Sequence, residues 1–187
     1  MRLQTYLIEI KGDIKPTNEM VSFFKERTKK HIDRVYKNCR MLADQYPELI
    51  YRGKFHDISK YGEYEYVPYI WMTWKYKMVN DGKVFEYPSK TLETSVEMAV
   101  DHHYKSNRHH PEFHKNSNDM TEVDIAEMVC DWYAMSMEFN DDVKKWADKS
   151  IKRYGFNDDN AKLIYQFIED LVQWNCEIKG KGILGGC

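Results

Sequence analysis

The stretch PTNEMVSFFKERTKKHIDRVYKNCRMLADQ, residues 16–45, decides the fold class. Phe24, Thr28, His31, Val35 and Leu42 recur in it at the three- and four-residue spacing of one helical face. This period predicts a helix that starts near Pro16-Thr17 and runs towards Gln45, stopping ahead of Pro47, which cannot continue it. His31 falls on the apolar stripe rather than among the lysines, so it is expected in the core or in a cleft. The basic run Lys25, Arg27, Lys29, Lys30 and Arg34 is interrupted by Glu26 and Asp33, and it reads as a solvated helix face.

The same reading extends along the chain. Residues 48–60 carry Leu49, Ile50, Phe55 and Ile58 and lead into Gly62, which predicts a short helix with His56-Asp57 near its end. Residues 63–78 are rich in aromatics around Pro68 and are read either as helix or as an irregular lid, before a turn at Asn80-Asp81-Gly82. A helix is expected from Ser89 to Asn107, where Leu92, Val96, Ala99 and His103 share a face, so that His103 points inward better than His102. After a loop from Arg108 to Glu112, Thr121 and Asp124 have the form of a capping box opening a helix to Phe139, with Asp131 in its middle. Two further helices, within residues 141–177, bracket Gly155, and the Gly-rich end, residues 180–187, is expected to fray. No internal repeat or long Pro/Gly/Ser linker interrupts this pattern, so the expectation is an all-α, single-domain helical bundle over residues 1–187.

Composition narrows the function classes. A hydrophobic content of 42%, including 14% aromatic residues, is enough to close a sizeable core. No run approaches the roughly 18 apolar residues of a membrane span, and the N-terminal residues lack a signal peptide's apolar segment and cleavage site, so a cytoplasmic protein is expected. Cys39, Cys130, Cys176 and Cys187 form no C-x-x-C pair and are read as reduced thiols. A formal charge of −2 exerts no global pull on nucleic acid. Nothing in the sequence specifies an oligomeric state.

The chemistry-bearing residues form a series: His31, the pair His56-Asp57, His102-His103, His109-His110, then Asp131. Imidazole nitrogen and carboxylate oxygen together suit a divalent ion such as Mn, Fe, Co, Ni, Zn or Mg, with positions left open for water and substrate. Taken singly, each residue has a plainer explanation. His31 alone fits a hydrogen-bonded core histidine, and Asp131 shares a face with Asp124, Glu127 and Glu138 as a solvent-exposed stripe would. Order and spacing are what join them.

That order, His31, then His56-Asp57 and then Asp131, resembles the H…HD…D signature of the HD-domain superfamily of metal-dependent phosphohydrolases, whose fold is an all-α bundle. The words HDISKY (56–61), NRHHPE (107–112) and EMVCDW (127–132) resemble more closely a group of bacterial and viral HD-type proteins of unassigned function. The likeness covers residues 31–132. It implies His31, His56, Asp57 and Asp131 as metal ligands. In two-metal members, further histidines hold a second ion with the HD aspartate bridging, and His103 and His110 are placed in that role ahead of His102 and His109. A cationic phosphate clamp or loop-ordering hydrogen bonds would use the same cluster equally well.

The function expected from this likeness is hydrolysis of a nucleotide or other small phosphate ester by metal-activated water, with one or two ions. Asp57 is counted with the catalytic group. Lys60 and Arg108 are candidates to neutralise phosphate charge, with Asn107 as a further substrate contact. Glu63 or Glu65 is a candidate to orient water or protonate the leaving group, although Ser59-Lys60 occupies the family's usual acidic position after the HD pair. Tyr66, Tyr69, Trp71 and Trp74 suit either a base-stacking platform or plain core. Two other readings stay open: a nucleotide-sensing or protein-binding module with a structural metal, and a diiron oxygenase on the same ligands.

Overall fold

The computed structural model describes residues 15–180, with side chains as far as residue 176. Among the described residues the chain is all-helical, with seven α-helices, three short 3-10 turns and no strand. The helices are α1 (Asn18–Met41), α2 (Leu49–Lys54), α3 (Tyr66–Asn80), α4 (Lys90–Ser106), α5 (Glu122–Phe139), α6 (Val143–Tyr154) and α7 (Asp158–Gly180). None is long and apolar enough to cross a membrane. The fraying expected beyond residue 180, the N-terminal reading and Cys187 lie outside the described residues.

The described chain divides into two compact units, one built from residues 15–30 with Asp57–Asn107, the other from His31–His56 with the residues from Arg108 on. Helix α1 contributes its first half to the former and its second half to the latter. Its start is capped as the Thr17 hydroxyl accepts the Met20 N–H at 3.2 Å. It ends a turn sooner than the spacing predicts. From Leu42 the chain tightens into turns, and Tyr46 leaves the helical path to set its ring edge-on to Phe167 and its hydroxyl on Glu122.

The first unit packs α3 and α4 with the front half of α1 around Met20, Phe24, Tyr69, Ile70, Leu92 and Val96. The aromatic segment is therefore helix, not lid. Pro68 stands in its first turn, where a missing N–H goes unmissed. Tyr69 and Trp71 are buried, with Tyr66 and Trp74 packed against that core, so these rings serve as packing rather than as a stacking platform. Helix α4 is framed as its sequence predicts: Ser89 caps its first turn by accepting the Leu92 N–H, and Asn107 closes its end.

In the second unit α5 is the central element, packed by α7, α6 and α2. Ile125, Ala126, Met128, Val129, Cys130 and Ala134 are all buried, which surrounds this helix with apolar contact. Thr121 and Asp124 form the predicted capping box. Helix α6 starts at Val143, two residues after the expected start, because the Asp142 carboxylate accepts the Lys144 N–H and acts as its cap. Gly155, at φ +65°, ends it with the left-handed residue that favours glycine. Gly53 lets α2 approach α1 closely: a Cβ there would lie 2.8 Å from the Cys39 Cβ and 3.2 Å from the Tyr36 Cα. The expected single helix over residues 48–60 ends at Lys54, and Asp57, whose φ of 58° lies outside the helical region, leads into a 3-10 turn, Ile58–Tyr61.

Candidate metal centre

In the second unit three elements present nitrogen and oxygen donors to one place. The inner stripe of α1 carries His31, the residues after α2 carry His56, and the mid-face of α5 carries Asp131. His31 Nε2 lies 3.1 Å and His56 Nε2 3.7 Å from the same Asp131 oxygen, Oδ1. His109 joins them: His56, His109 and Asp131 each offer a ligand atom within 4.8 Å of the others. Donors sharing one ion at about 2.1 Å sit about 3 to 3.5 Å apart, so the 3.1 and 3.7 Å separations about Asp131 Oδ1 need little adjustment to close on a cation.

The donor set also fits a cation chemically. His56 Nδ1 lies 3.0 Å from Glu127 Oε1, and His109 Nδ1 lies 3.4 Å from the same oxygen. A neutral imidazole that donates from Nδ1 has only a lone pair at Nε2, and in His56 that lone pair faces a carboxylate oxygen. A proton or a metal ion between them resolves the repulsion. Burial favours the neutral form of Asp131, yet the His31 and His56 rings beside it outweigh that and hold the carboxyl well below the usual range. Glu127 behaves alike: burial opposes its charge, and His109 and His56 overcome that and keep it ionised.

Behind these residues lies a charged layer. Arg52 reaches Glu127 at 2.6 Å and Asp124 at 2.8 Å. Arg108 grips Asp124 with two bonds, of 3.0 and 2.7 Å, its guanidinium over the Phe113 ring. Wholly buried Asp124 is disfavoured as an ion by desolvation, but Arg108, Thr121 and Arg52 bring its carboxyl down to about 2.

The first unit holds a cluster of its own. Buried Asp57 pairs with Lys60, and His103 Nε2 lies 3.0 Å from Asp57 Oδ1. His103 Nδ1 lies 2.9 Å from Glu65 Oε2, and His102 Nδ1 lies 2.8 Å from Glu65 Oε1. The Ser59 hydroxyl donates to Glu65 at 2.9 Å and accepts from the Asn107 amide at 3.0 Å. Burial alone would lower the His103 pKa, but Asp57 and Glu65 raise it; Glu65, fully buried, is pulled below its usual range against desolvation by His103, His102 and Ser59. Lys60 also stands over the Tyr69 ring, whose phenol burial pushes up.

Set against the sequence reading, His31, His56 and Asp131 come together in one unit, with Asp57 and His103 together in the other. Within its pair His103 is the buried residue, as the helical period predicts. His109, ranked behind His110 from the sequence, offers a nitrogen beside His56 and Asp131, and His110 packs its ring on His109 at 4.1 Å. Of the two glutamates weighed, Glu63 is exposed and Glu65 buried among histidines. Lys60 and Arg108 are both engaged with carboxylates, and Asn107 with Ser59 and the end of α4. The acidic stripe of α5 faces inward: Asp124 and Glu127 are buried and Asp131 is nearly so, where a solvent stripe would be exposed. Sequence reasoning gave Glu127, Arg52 and Ser59 no part in either cluster, reading Glu127 as solvent stripe. The available signal was the spacing of Glu127 four residues before Asp131, which puts both on one face of α5.

No curated protein and no solved structure matches this chain. A family model matches residues 20–174, which takes in every residue of both clusters. The chain therefore belongs to the family of unknown function described as DUF5662.

Proposed function

We propose that the chain is a divalent-metal-dependent phosphohydrolase of the HD type, acting on a nucleotide or another small phosphate ester. The observation that carries this reading is the convergence of His31 Nε2 and His56 Nε2 on one Asp131 oxygen. These are three of the four ligands that the H…HD…D resemblance names. The fourth, Asp57, follows His56 directly in the chain. Its left-handed backbone is of the kind that clusters at functional positions, where the surroundings over-determine a costly conformation.

A bound divalent ion would bring the pKa of its water towards neutrality and so supply a nucleophile for phosphorus. The chain's own residues would do the rest. His31, His56 and Asp131 hold the ion, and His109 adds a nitrogen beside them. Arg108 is a fixed cation suited to phosphate oxygens, being half exposed and having donors beyond the two that Asp124 takes.

The test combines elemental analysis of the purified protein with a screen of nucleoside mono-, di- and triphosphates and cyclic dinucleotides under several divalent metals. Asp57→Asn is the diagnostic variant, because asparagine tolerates the left-handed backbone while losing the ligand charge. The expected outcome is bound metal, turnover of at least one phosphate ester, and loss of that turnover in a variant that still melts cooperatively. Near-normal hydrolysis by folded Asp57→Asn would move the chemistry elsewhere.

A further inference from the structure

The two clusters use the same device. In the first unit Glu65 takes Nδ1 of His102 at 2.8 Å and of His103 at 2.9 Å, one histidine to each carboxylate oxygen. In the second, Glu127 Oε1 stands 3.0 Å from Nδ1 of His56 and 3.4 Å from Nδ1 of His109, while Arg52 holds its other oxygen at 2.6 Å. Each glutamate is buried, Glu65 completely. In each cluster the outcome is the same: Nε2 is the nitrogen turned to an aspartate, His103 to Asp57 at 3.0 Å and His56 to Asp131 at 3.7 Å.

A buried carboxylate is costly unless several donors meet it, so two such groups on histidine Nδ1 atoms ask for an explanation. Packing does not supply one, since an apolar side chain would fill either place without the need for partners. What a carboxylate does supply is direction. It fixes the proton on Nδ1, orients the ring and makes the opposite nitrogen the more basic donor.

We propose that Glu65 and Glu127 are positioning residues, each holding two histidines in the Nδ1–H form so that the Nε2 atoms of His103 and His56 are presented as donors beside Asp57 and Asp131. The consequence for metal affinity rests on the metal reading above, whereas the hydrogen-bonding claim stands on the free protein. Asn107 and Ser59 complete the Glu65 arrangement, and Arg52 completes that of Glu127.

Protein labelled with 15N-histidine, kept metal-free with chelator, tests the claim directly. Wild type should show downfield, slowly exchanging Nδ1–H signals for His102, His103, His56 and His109. Glu65→Ala should remove the first two alone, and Glu127→Ala the last two alone. Glu65→Gln and Glu127→Gln, which keep an acceptor oxygen and the side-chain volume, should retain part of each signal and serve where the alanine variant fails to fold. Zn2+ alone, titrated against a chromophoric chelator, should then bind each alanine variant about 10- to 100-fold more weakly, with the glutamine variants between. Absence of the Nδ1–H signals in wild type, or their survival in the alanine variants, overturns the proposal. So does zinc affinity within twofold of wild type in folded variants. A wild type that shows the signals but binds no divalent metal would instead overturn the phosphohydrolase reading and leave the positioning role standing.

Discussion

Asp124 offers a perturbation whose size can be worked from the structure. Its carboxylate is wholly buried and receives Arg52 at 2.8 Å, Arg108 at 3.0 and 2.7 Å, and the Thr121 N–H and hydroxyl at 3.0 and 2.8 Å. These contacts lower its pKa from 3.8 to about 2, a shift worth about 2 kcal/mol of folding stability. Leaving Arg52 and Arg108 short of a buried acceptor adds about 1 kcal/mol. Asp124→Ala should therefore cost about 3 kcal/mol. This is the low end of the range for breaking a buried pair, because Arg52 keeps Glu127 at 2.6 Å and Arg108 is half exposed. For a chain of this size that corresponds to a fall in Tm of about 6–12 °C, read by circular dichroism with chelator present. The sign in pH follows from a depressed carboxyl. Its contribution is complete above the unfolded value of 3.8 and is lost as the pH falls through the folded value of about 2. Wild type should accordingly lose stability with a slope from this group of about 1 kcal/mol per pH unit near pH 3, and Asp124→Asn should lack that part of the slope. A loss below about 1 kcal/mol in Asp124→Ala, together with an unchanged acid slope in Asp124→Asn, would refute the picture of a buried, doubly gripped carboxylate.

Two other outcomes follow from particular contacts. His109→Ala should weaken Mn2+ or Zn2+ binding by at least tenfold in isothermal titration, since His109 offers a nitrogen beside His56 and Asp131; affinity within twofold of wild type would take His109 out of the site. Gly53→Ala should destabilise the protein by about 1–3 kcal/mol in urea unfolding, because the added methyl meets the Cys39 side chain and Tyr36 backbone at 2.8 and 3.2 Å, and a neutral result would mean that α1 and α2 part easily there.

Much of this protein was legible before any coordinates. The periodicity of Phe24, Thr28, His31 and Val35 carried both the helix and the burial of His31, because a side chain's face follows from the 3.6-residue turn alone. Ser89, Thr121 and Asp124 marked helix starts for an equally local reason, as a cap closes within one turn. The left-handed turn at Asp57 escaped because it requires a non-glycine residue at φ 58°, which no local preference demands. The end of α1 escaped because the Tyr46 ring packs on Phe167, far along the chain.

The candidate site divides along the same line. The sequence by itself determined an all-helical chain and a His, His-Asp, Asp series whose residue types suit a divalent cation. Only the tertiary structure decided that Glu127 and Asp124 face inward, that Glu65 and not Glu63 is the buried acid, and that His109 stands with His56 and Asp131. The physical reason is that a carboxylate stripe on a helix has the same spacing whether water or arginine meets it. On α5 the partners are Arg52 and Arg108, and Arg52 lies 75 residues from Glu127 in the chain, a distance that periodicity does not reach.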